Sequence, residues 1–134
     1  MERVVGVTVE GTSRAYPYSE LEAAGGVIQD RFGERDIVVL WRSGTVSPLD
    51  VQVIARGRDV GAAGVFSPVV DGRLRRLRAT ADGFLDRETG SSWSVLGVAT
   101  AGRLAGERLA PIDHLDAFWF AWAAFAPLTT VYEG

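Results

Sequence analysis

The chain has 134 residues, of which 47% are hydrophobic and 23% are charged, a composition typical of one globular domain. It contains no cysteine, which excludes disulfides, thiolate metal sites and a cysteine nucleophile, and its single histidine disfavours structural zinc. The net charge of −3, with arginine as the only strong base, argues against a general binder of polyanions.

The first part of the chain predicts short strands joined by turns. Ser19 has the character of a helix N-cap, and a short helix is predicted from there to Gly25-Gly26. The continuous apolar run from Ile37 to Leu40 is typical of a strand buried on both faces. Valine-rich or alternating runs predict strands at Arg3 to Glu10, Arg14 to Tyr18, Val27 to Phe32, Asp36 to Arg42 and Val51 to Ala55.

The middle of the chain combines one irregular segment with two hairpin signals. Ser43 to Gly64 is rich in glycine, and a segment of this length without regular structure is often functional. Asp71-Gly72 predicts a two-residue turn leading into a strand over Arg73 to Thr80. The strands Phe84 to Asp86 and Ser92 to Leu96 flank a polar turn that ends in Gly90, which predicts a second hairpin with Trp93 and Val95 on one face.

The last part of the chain predicts one helix. Asp113 is expected to open it, with Asp116 in a capping role and His114 in the first turn. Apolar side chains recur at helical spacing and fill the remaining faces up to Pro127, so burial on most sides is expected. The predicted fold is therefore a single mainly β (α+β) domain spanning residues 1–134. Its single curled antiparallel sheet or partly open barrel has one short helix and wraps around a carboxy-terminal aromatic helix.

Several phrases of the sequence resemble one family. They are Arg3-Val4-Val5-Gly6-Val7, Ser13-Arg14-Ala15-Tyr16-Pro17, Val70-Asp71-Gly72-Arg73, Glu88-Thr89-Gly90-Ser91-Ser92-Trp93, Gly102-Arg103-Leu104-Ala105-Gly106 and the aromatic run Phe118 to Phe125. Together they resemble the prokaryotic domain of unknown function DUF thirty-one seventy-nine. The resemblance implies a complete β-rich domain but no activity. Many relatives have a Cys-Pro-x-Cys-Gly-Thr phrase where this chain reads Trp41-Arg42-Ser43-Gly44-Thr45, which indicates a diverged branch without those cysteines.

Three carboxylates, Asp82, Asp86 and Glu88, lie within seven positions of the second hairpin. With Asp86 or Glu88 as the acid/base group, the chain would be a small enzyme of the hydrolase or isomerase type, and Arg42 or Arg87 would hold an anionic group. The preferred interpretation is structural, because aspartate commonly bonds backbone amides at turns. Neither a serine elbow motif nor a metal-ligand set accompanies them, so no cofactor and no metal are expected.

The tryptophans carry the other hypothesis. Trp93, Trp119 and Trp122, with Arg42, are candidate binding residues, since aromatic side chains anchor both pockets and interfaces. The preferred function is a non-catalytic module that binds a small molecule or a partner protein through the aromatic helix and the segment 43–64. The arginines at 73, 75, 76 and 78 alternate across both faces of their strand, so nucleic acid is not an expected partner. No membrane span and no signal peptide are expected, the location is expected to be cytoplasmic, and a homo-oligomer is possible.

Overall fold

A computed structural model describes residues 2–32, 34–42, 62–81 and 83–132. The described residues form strands and helices in the following order: β1 (Arg3–Val9), β2 (Thr12–Pro17), α1 (Tyr18–Ala23), β3 (Val27–Phe32), β4 (Arg35–Arg42), β5 (Ala62–Phe66), β6 (Val69–Val70), β7 (Arg73–Leu74), β8 (Leu77–Ala79), β9 (Phe84–Asp86), β10 (Ser92–Trp93), β11 (Ala99–Ala101), β12 (His114–Phe118), α2 (Trp119–Phe125) and β13 (Thr130–Val131). The prediction of a mainly β fold is confirmed.

The strands lie in several sheets, so the prediction of a single curled sheet is wrong in that detail. Sheet 1 has the order β12-β1-β2-β13, sheet 2 the order β3-β4-β5, and sheet 3 the order β11-β10-β9-β8. The pair β6–β7 forms a separate hairpin. Neighbouring strands run antiparallel except β13, which pairs parallel with β2. In the part of the chain that the structure describes, the sheets do not close into a barrel.

Two hydrophobic cores meet at β4. Ile37 and Val39 point into the first core, which β1, β2 and α1 cover, whereas Val38 and Leu40 point into the second core below sheet 3. All four side chains have no exposed surface, so the predicted burial on both faces is confirmed. Because successive side chains of a strand alternate in direction, one continuous apolar run supplies both cores.

The carboxy-terminal helix differs from its prediction. Residues His114–Phe118 form β12, which pairs with β1, and α2 begins only at Trp119. Asp113 and Asp116 therefore do not cap a helix, and His114 is not in a helical first turn. The physical reason has two parts. Polar and apolar side chains alternate over the first four of these residues, as in a strand. Aromatic residues have a low helix propensity, so pairing with the buried β1 is more favourable than forming a helix.

The position of α2 is also different from the prediction. It does not lie inside a curled sheet but on the outer face of sheet 1, and Trp122 is its one buried residue. The expectation of burial on most sides is therefore wrong. Among the described residues, no helix combines the length and the apolar character that crossing a bilayer requires.

Three smaller predictions also changed. Pro17, not Ser19, precedes α1, and the Ser19 hydroxyl donates to the Glu2 carboxylate instead. The predicted strand from Arg73 to Thr80 is divided into β7 and β8, because the backbone amides of Arg75 and Arg76 bond partners outside a ladder. The second strand of the later hairpin ends at Trp93 rather than Leu96. Val51 to Ala55 and most of the irregular segment lie outside the described residues.

Both predicted hairpin turns are present. Asp71 and Gly72 both have positive φ, at 54° and 71°, which defines a type I′ turn between β6 and β7. The turn between β9 and β10 ends in Gly90 at φ 70°, a conformation that glycine adopts at little cost.

Candidate functional site

The first group of predicted site residues lies at the β9–β10 hairpin. Asp86, at the end of β9, has no exposed surface. Its carboxylate accepts hydrogen bonds from the backbone amide of Thr89 at 2.6 Å, from the Thr89 hydroxyl at 2.8 Å and from the Trp93 indole at 2.8 Å. The hairpin therefore holds a buried anion inside a shell of donors.

A second contact ties this shell to the rest of sheet 3. The Ser91 hydroxyl lies 2.6 Å from that of Thr89 and accepts a hydrogen bond at 2.9 Å from the backbone amide of Leu104. Ser91 is itself buried. The phrase Glu-Thr-Gly-Ser-x-Trp thus encodes a hydrogen-bonded unit. The Thr89 and Ser91 hydroxyls connect the Asp86 carboxylate to the Leu104 amide, and Trp93 shields that carboxylate from solvent.

The electrostatics of Asp86 favour a permanent anion. Burial acts to raise the pKa of Asp86, but the hydrogen bonds from Trp93 and Thr89 and the charge of the buried Arg75 outweigh burial and hold this pKa below its usual value of 3.8. A carboxylate whose oxygens are occupied and covered has neither the access nor the basicity that proton transfer to a substrate needs.

This pKa shift predicts a pH dependence of stability. Because the folded-state pKa of Asp86 lies below its unfolded value, the carboxylate stabilises the folded protein above about pH 4, and this contribution is lost as pH falls through the folded pKa. We expect the difference in free energy of unfolding between the wild type and Asp86→Asn to be full near pH 6 and to shrink in more acidic buffer. Urea denaturation of both proteins, at pH 6 and in the more acidic buffer, measures this difference in free energy. A difference that does not change with pH would contradict this account.

The neighbouring turn residues face solvent. Glu88 is exposed, and one of its carboxylate oxygens accepts the backbone amide of Arg76 at 2.8 Å. Arg87 is also exposed, and its own amide bonds the carbonyl of Arg76. Asp82 lies outside the described residues. Both contacts fasten the hairpin to the break between β7 and β8, so the geometry favours a structural role for Glu88.

Arg42 lies at a different place, at the end of β4. Its Nη2 donates to the carbonyl of Ala81 at 2.6 Å, beside a shallow cleft of about 220 Å³. Trp41, Thr80 and Phe84 are among the residues that line this cleft, and neither Asp86 nor Glu88 is. The structure therefore does not bring Arg42 together with the carboxylates of the enzyme hypothesis.

The second group of predicted residues lies at α2. The ring of Trp122 is buried against β1 directly over Gly6, where a Cβ atom would overlap the indole. Val4, Ala15 and Ala126 complete this third core, and the indole N–H donates to the Thr129 hydroxyl at 2.9 Å. Trp122 is thus the residue that attaches α2 to sheet 1.

The rest of α2 presents apolar side chains to solvent. Phe120 is 60% exposed and Phe125 71% exposed, and beyond Pro127 the side chain of Leu128 is 93% exposed. Trp119 is partly exposed on the same helix. We call these four side chains, Trp119, Phe120, Phe125 and Leu128, the α2 surface. Scattered exposed apolar residues are ordinary, whereas here four fall within ten residues of the sequence, and exposed apolar side chains are concentrated at interaction sites.

A groove adjoins the α2 surface. It has a volume of about 500 Å³ and lies between the turn that connects β1 with β2 and the segment after α2. Phe125 and Leu128 form part of one wall, and Thr8 and Ser13 part of the other. No charged residue lies between Ala117 and Tyr132, so helix and groove together form an uncharged region.

A series of contacts among Arg3 and three aromatic rings connects sheet 1 with the α2 surface. The guanidinium carbon of Arg3 lies 5.6 Å from the ring centre of Tyr18 and 5.3 Å from that of Phe118. The ring of Phe118 is parallel to that of Phe120, with 6.2 Å between their centres. These contacts stabilise the end of β12 and fix the orientation of Phe120.

The structure therefore separates the predicted site residues into distinct groups. Asp86 and Trp93 are in contact, Trp119 and Trp122 share α2, and Arg42 lies at the cleft. The predicted site residues did not include Phe120, Phe125 and Leu128. The uncharged run over residues 117–132 marks this region in the sequence but does not tell which of its side chains are exposed. In the described ranges, no three His, Asp or Glu side chains cluster in a way that could hold a metal ion.

The family described as "Protein of unknown function (DUF3179)" matches residues 1–129, so the chain belongs to that family. Neither the search of curated proteins nor that of solved structures found a match.

Proposed function

We propose that this protein is a non-catalytic binding module that recognises an uncharged, apolar segment of a partner protein through the α2 surface. The observation that carries the proposal is the exposure of Phe120 and Phe125 on a short helix held by one buried residue, Trp122, and of Leu128 just beyond that helix. Burying a large apolar side chain is worth about 1.5–3 kcal/mol, so a partner that covers these three gains substantial binding energy.

The groove beside Phe125 supports a protein partner in particular. Its uncharged walls suit an apolar side chain inserted from a partner, and the hydroxyls of Thr8 and Ser13, which bond each other at 3.0 Å, keep further lone pairs for that partner's backbone amides. The segment 43–64, which was expected to share the binding role, lies largely outside the described residues and adds no argument.

The alternative of a small enzyme has weaker support. Asp86 is covered and occupied by donors, and the Glu88 carboxylate holds the backbone amide of Arg76. A cytoplasmic location stays part of the proposal, and cell fractionation followed by immunoblotting tests it.

Selection from a displayed random-peptide library tests the proposed binding. We expect enriched peptides to be apolar and to bind the wild type at least about tenfold more tightly than Phe120→Ser/Phe125→Ser, since each lost apolar contact costs roughly 1 kcal/mol or more. Leu96→Ser is the matched control, because Leu96 is 76% exposed but lies outside the α2 surface. Peptides that bind the double variant as well as the wild type would contradict the proposal.

A further inference from the structure

The outer edge of sheet 1 is formed by β12. In the described ranges, β12 pairs with β1 alone, over five residues without a bulge. In an antiparallel pair, the backbone groups of every second residue bond the neighbouring strand. The Trp119 amide donates to the Glu2 carbonyl, so the residues of β12 that bond β1 are Leu115 and Ala117. The N–H and C=O groups of His114 and Asp116 and the N–H of Phe118 therefore point away from the sheet, and no described residue bonds them. The Phe118 carbonyl lies at the N-cap of α2 and accepts the first hydrogen bond of that helix.

Over the described residues, β12 has few of the features that keep edge strands from pairing with other chains: Asp116 is its one acidic side chain, and β5 bonds only the Ile112 amide just before it. Natural sheets protect an edge with lysine, proline, a bulge or a covering element. The chain has no lysine, and β12 has neither proline nor bulge. Instead, the apolar side chain of Leu115 is 47% exposed. Leu115 pairs with Gly6, which lies beneath Trp122, so Leu115 is on the face of sheet 1 that carries α2.

We propose that β12 pairs antiparallel with β12 of a second copy of this chain, which joins two four-stranded sheets into one sheet of eight strands. A twofold axis at Leu115 places His114 of each copy opposite Asp116 of the other, so the imidazole faces a carboxylate twice in the interface. The alternative register that centres on Asp116 would set two carboxylates opposite each other, which is unfavourable.

The proposed pairing also accounts for the exposed Leu115. With the twofold axis perpendicular to the sheet, each Leu115 contacts its counterpart, and both α2 helices lie on the same face of the joined sheet. The dimer would therefore display two α2 surfaces side by side. The inference does not rest on the proposed partner binding, because its interface is the strand edge and not the α2 surface.

Mass measurement on a series of variants tests the pairing. We expect the wild type to have twice the mass of the chain in light scattering and native mass spectrometry. His114→Pro is expected to be monomeric, because it removes an outward amide while leaving the ladder with β1 intact. His114→Asp should weaken the dimer about tenfold, and His114→Asp/Asp116→His should restore it by exchanging the paired groups.

Amide hydrogen exchange gives an independent readout at single residues. In the wild type, the amides of His114, Asp116 and Phe118 should be protected, and in His114→Pro those of Asp116 and Phe118 should exchange freely. The amides of Leu115 and Ala117, which bond β1, should stay protected in both proteins and show that the monomer is folded. A monomeric wild type overturns the proposal. So does a dimer that survives His114→Pro, or one that Phe125→Ser abolishes while His114→Pro does not.

Discussion

Replacing Trp93 by alanine is expected to lower the free energy of unfolding by about 3–5 kcal/mol, the usual loss for a buried large aromatic side chain. Trp93 is almost fully buried in the second core, where Phe84 and Leu104 are among its neighbours in the cluster. The substitution leaves a cavity and also removes the indole donor from the buried Asp86 carboxylate. Guanidinium denaturation measures the loss as a lower midpoint at unchanged slope.

Two further variants separate these contributions. Trp93→Phe keeps most of the ring volume but removes the N–H, so we expect a smaller loss of about 1–3 kcal/mol, because the Asp86 carboxylate loses one of its hydrogen-bond donors. Leu96→Ala, at an exposed position three residues after Trp93, should change stability by less than about 0.5 kcal/mol. A loss below about 1 kcal/mol for Trp93→Ala would show that the hairpin does not close the second core.

Replacing Trp122 by alanine should cost about 3–5 kcal/mol as well, because this indole is the one buried side chain of α2. A helix of seven residues without a side-chain cap has little stability of its own, so it depends on this packing. We expect the variant to lose helical circular dichroism together with stability.

The contact between Trp122 and Gly6 can be isolated by a double-mutant cycle. Gly6→Ala places a Cβ within the indole and should cost about 1–3 kcal/mol in the wild type through overpacking. In the Trp122→Ala background, the same change should be nearly neutral, because the obstructing ring is gone. Equal costs of Gly6→Ala in both backgrounds would show that α2 does not rest on β1 at this position.

Local signals in the sequence predicted a large part of this fold. The Asp71-Gly72 turn, the Gly90 turn and the apolar run of β4 each follow from backbone preferences or from burial on both faces, which few residues determine. The carboxy-terminal segment could not be predicted in the same way. His114–Phe118 becomes a strand because β1 offers a partner distant in sequence, and no local pattern encodes that partner.

The candidate sites show the same division. That Asp86 bonds backbone amides at its turn could be expected from aspartate chemistry, and the hydrogen bond from Trp93 follows once both lie on paired strands. The exposure of Phe120 and Phe125 could not be predicted, because hydrophobic periodicity records how apolar a helix is and not which of its faces a neighbour covers.

The alternation of side chains along β4 has a consequence for how the protein loses its structure. Ile37 and Val39 belong to one core and Val38 and Leu40 to the other, so removing this strand exposes both apolar interiors in the same event. If one core unfolded and the other stayed intact, the two β4 side chains of the unfolded core would be exposed to water. The two cores are therefore coupled as a single cooperative unit, and neither sheet 1 nor sheet 3 with its flanking segments would persist as an autonomous fragment.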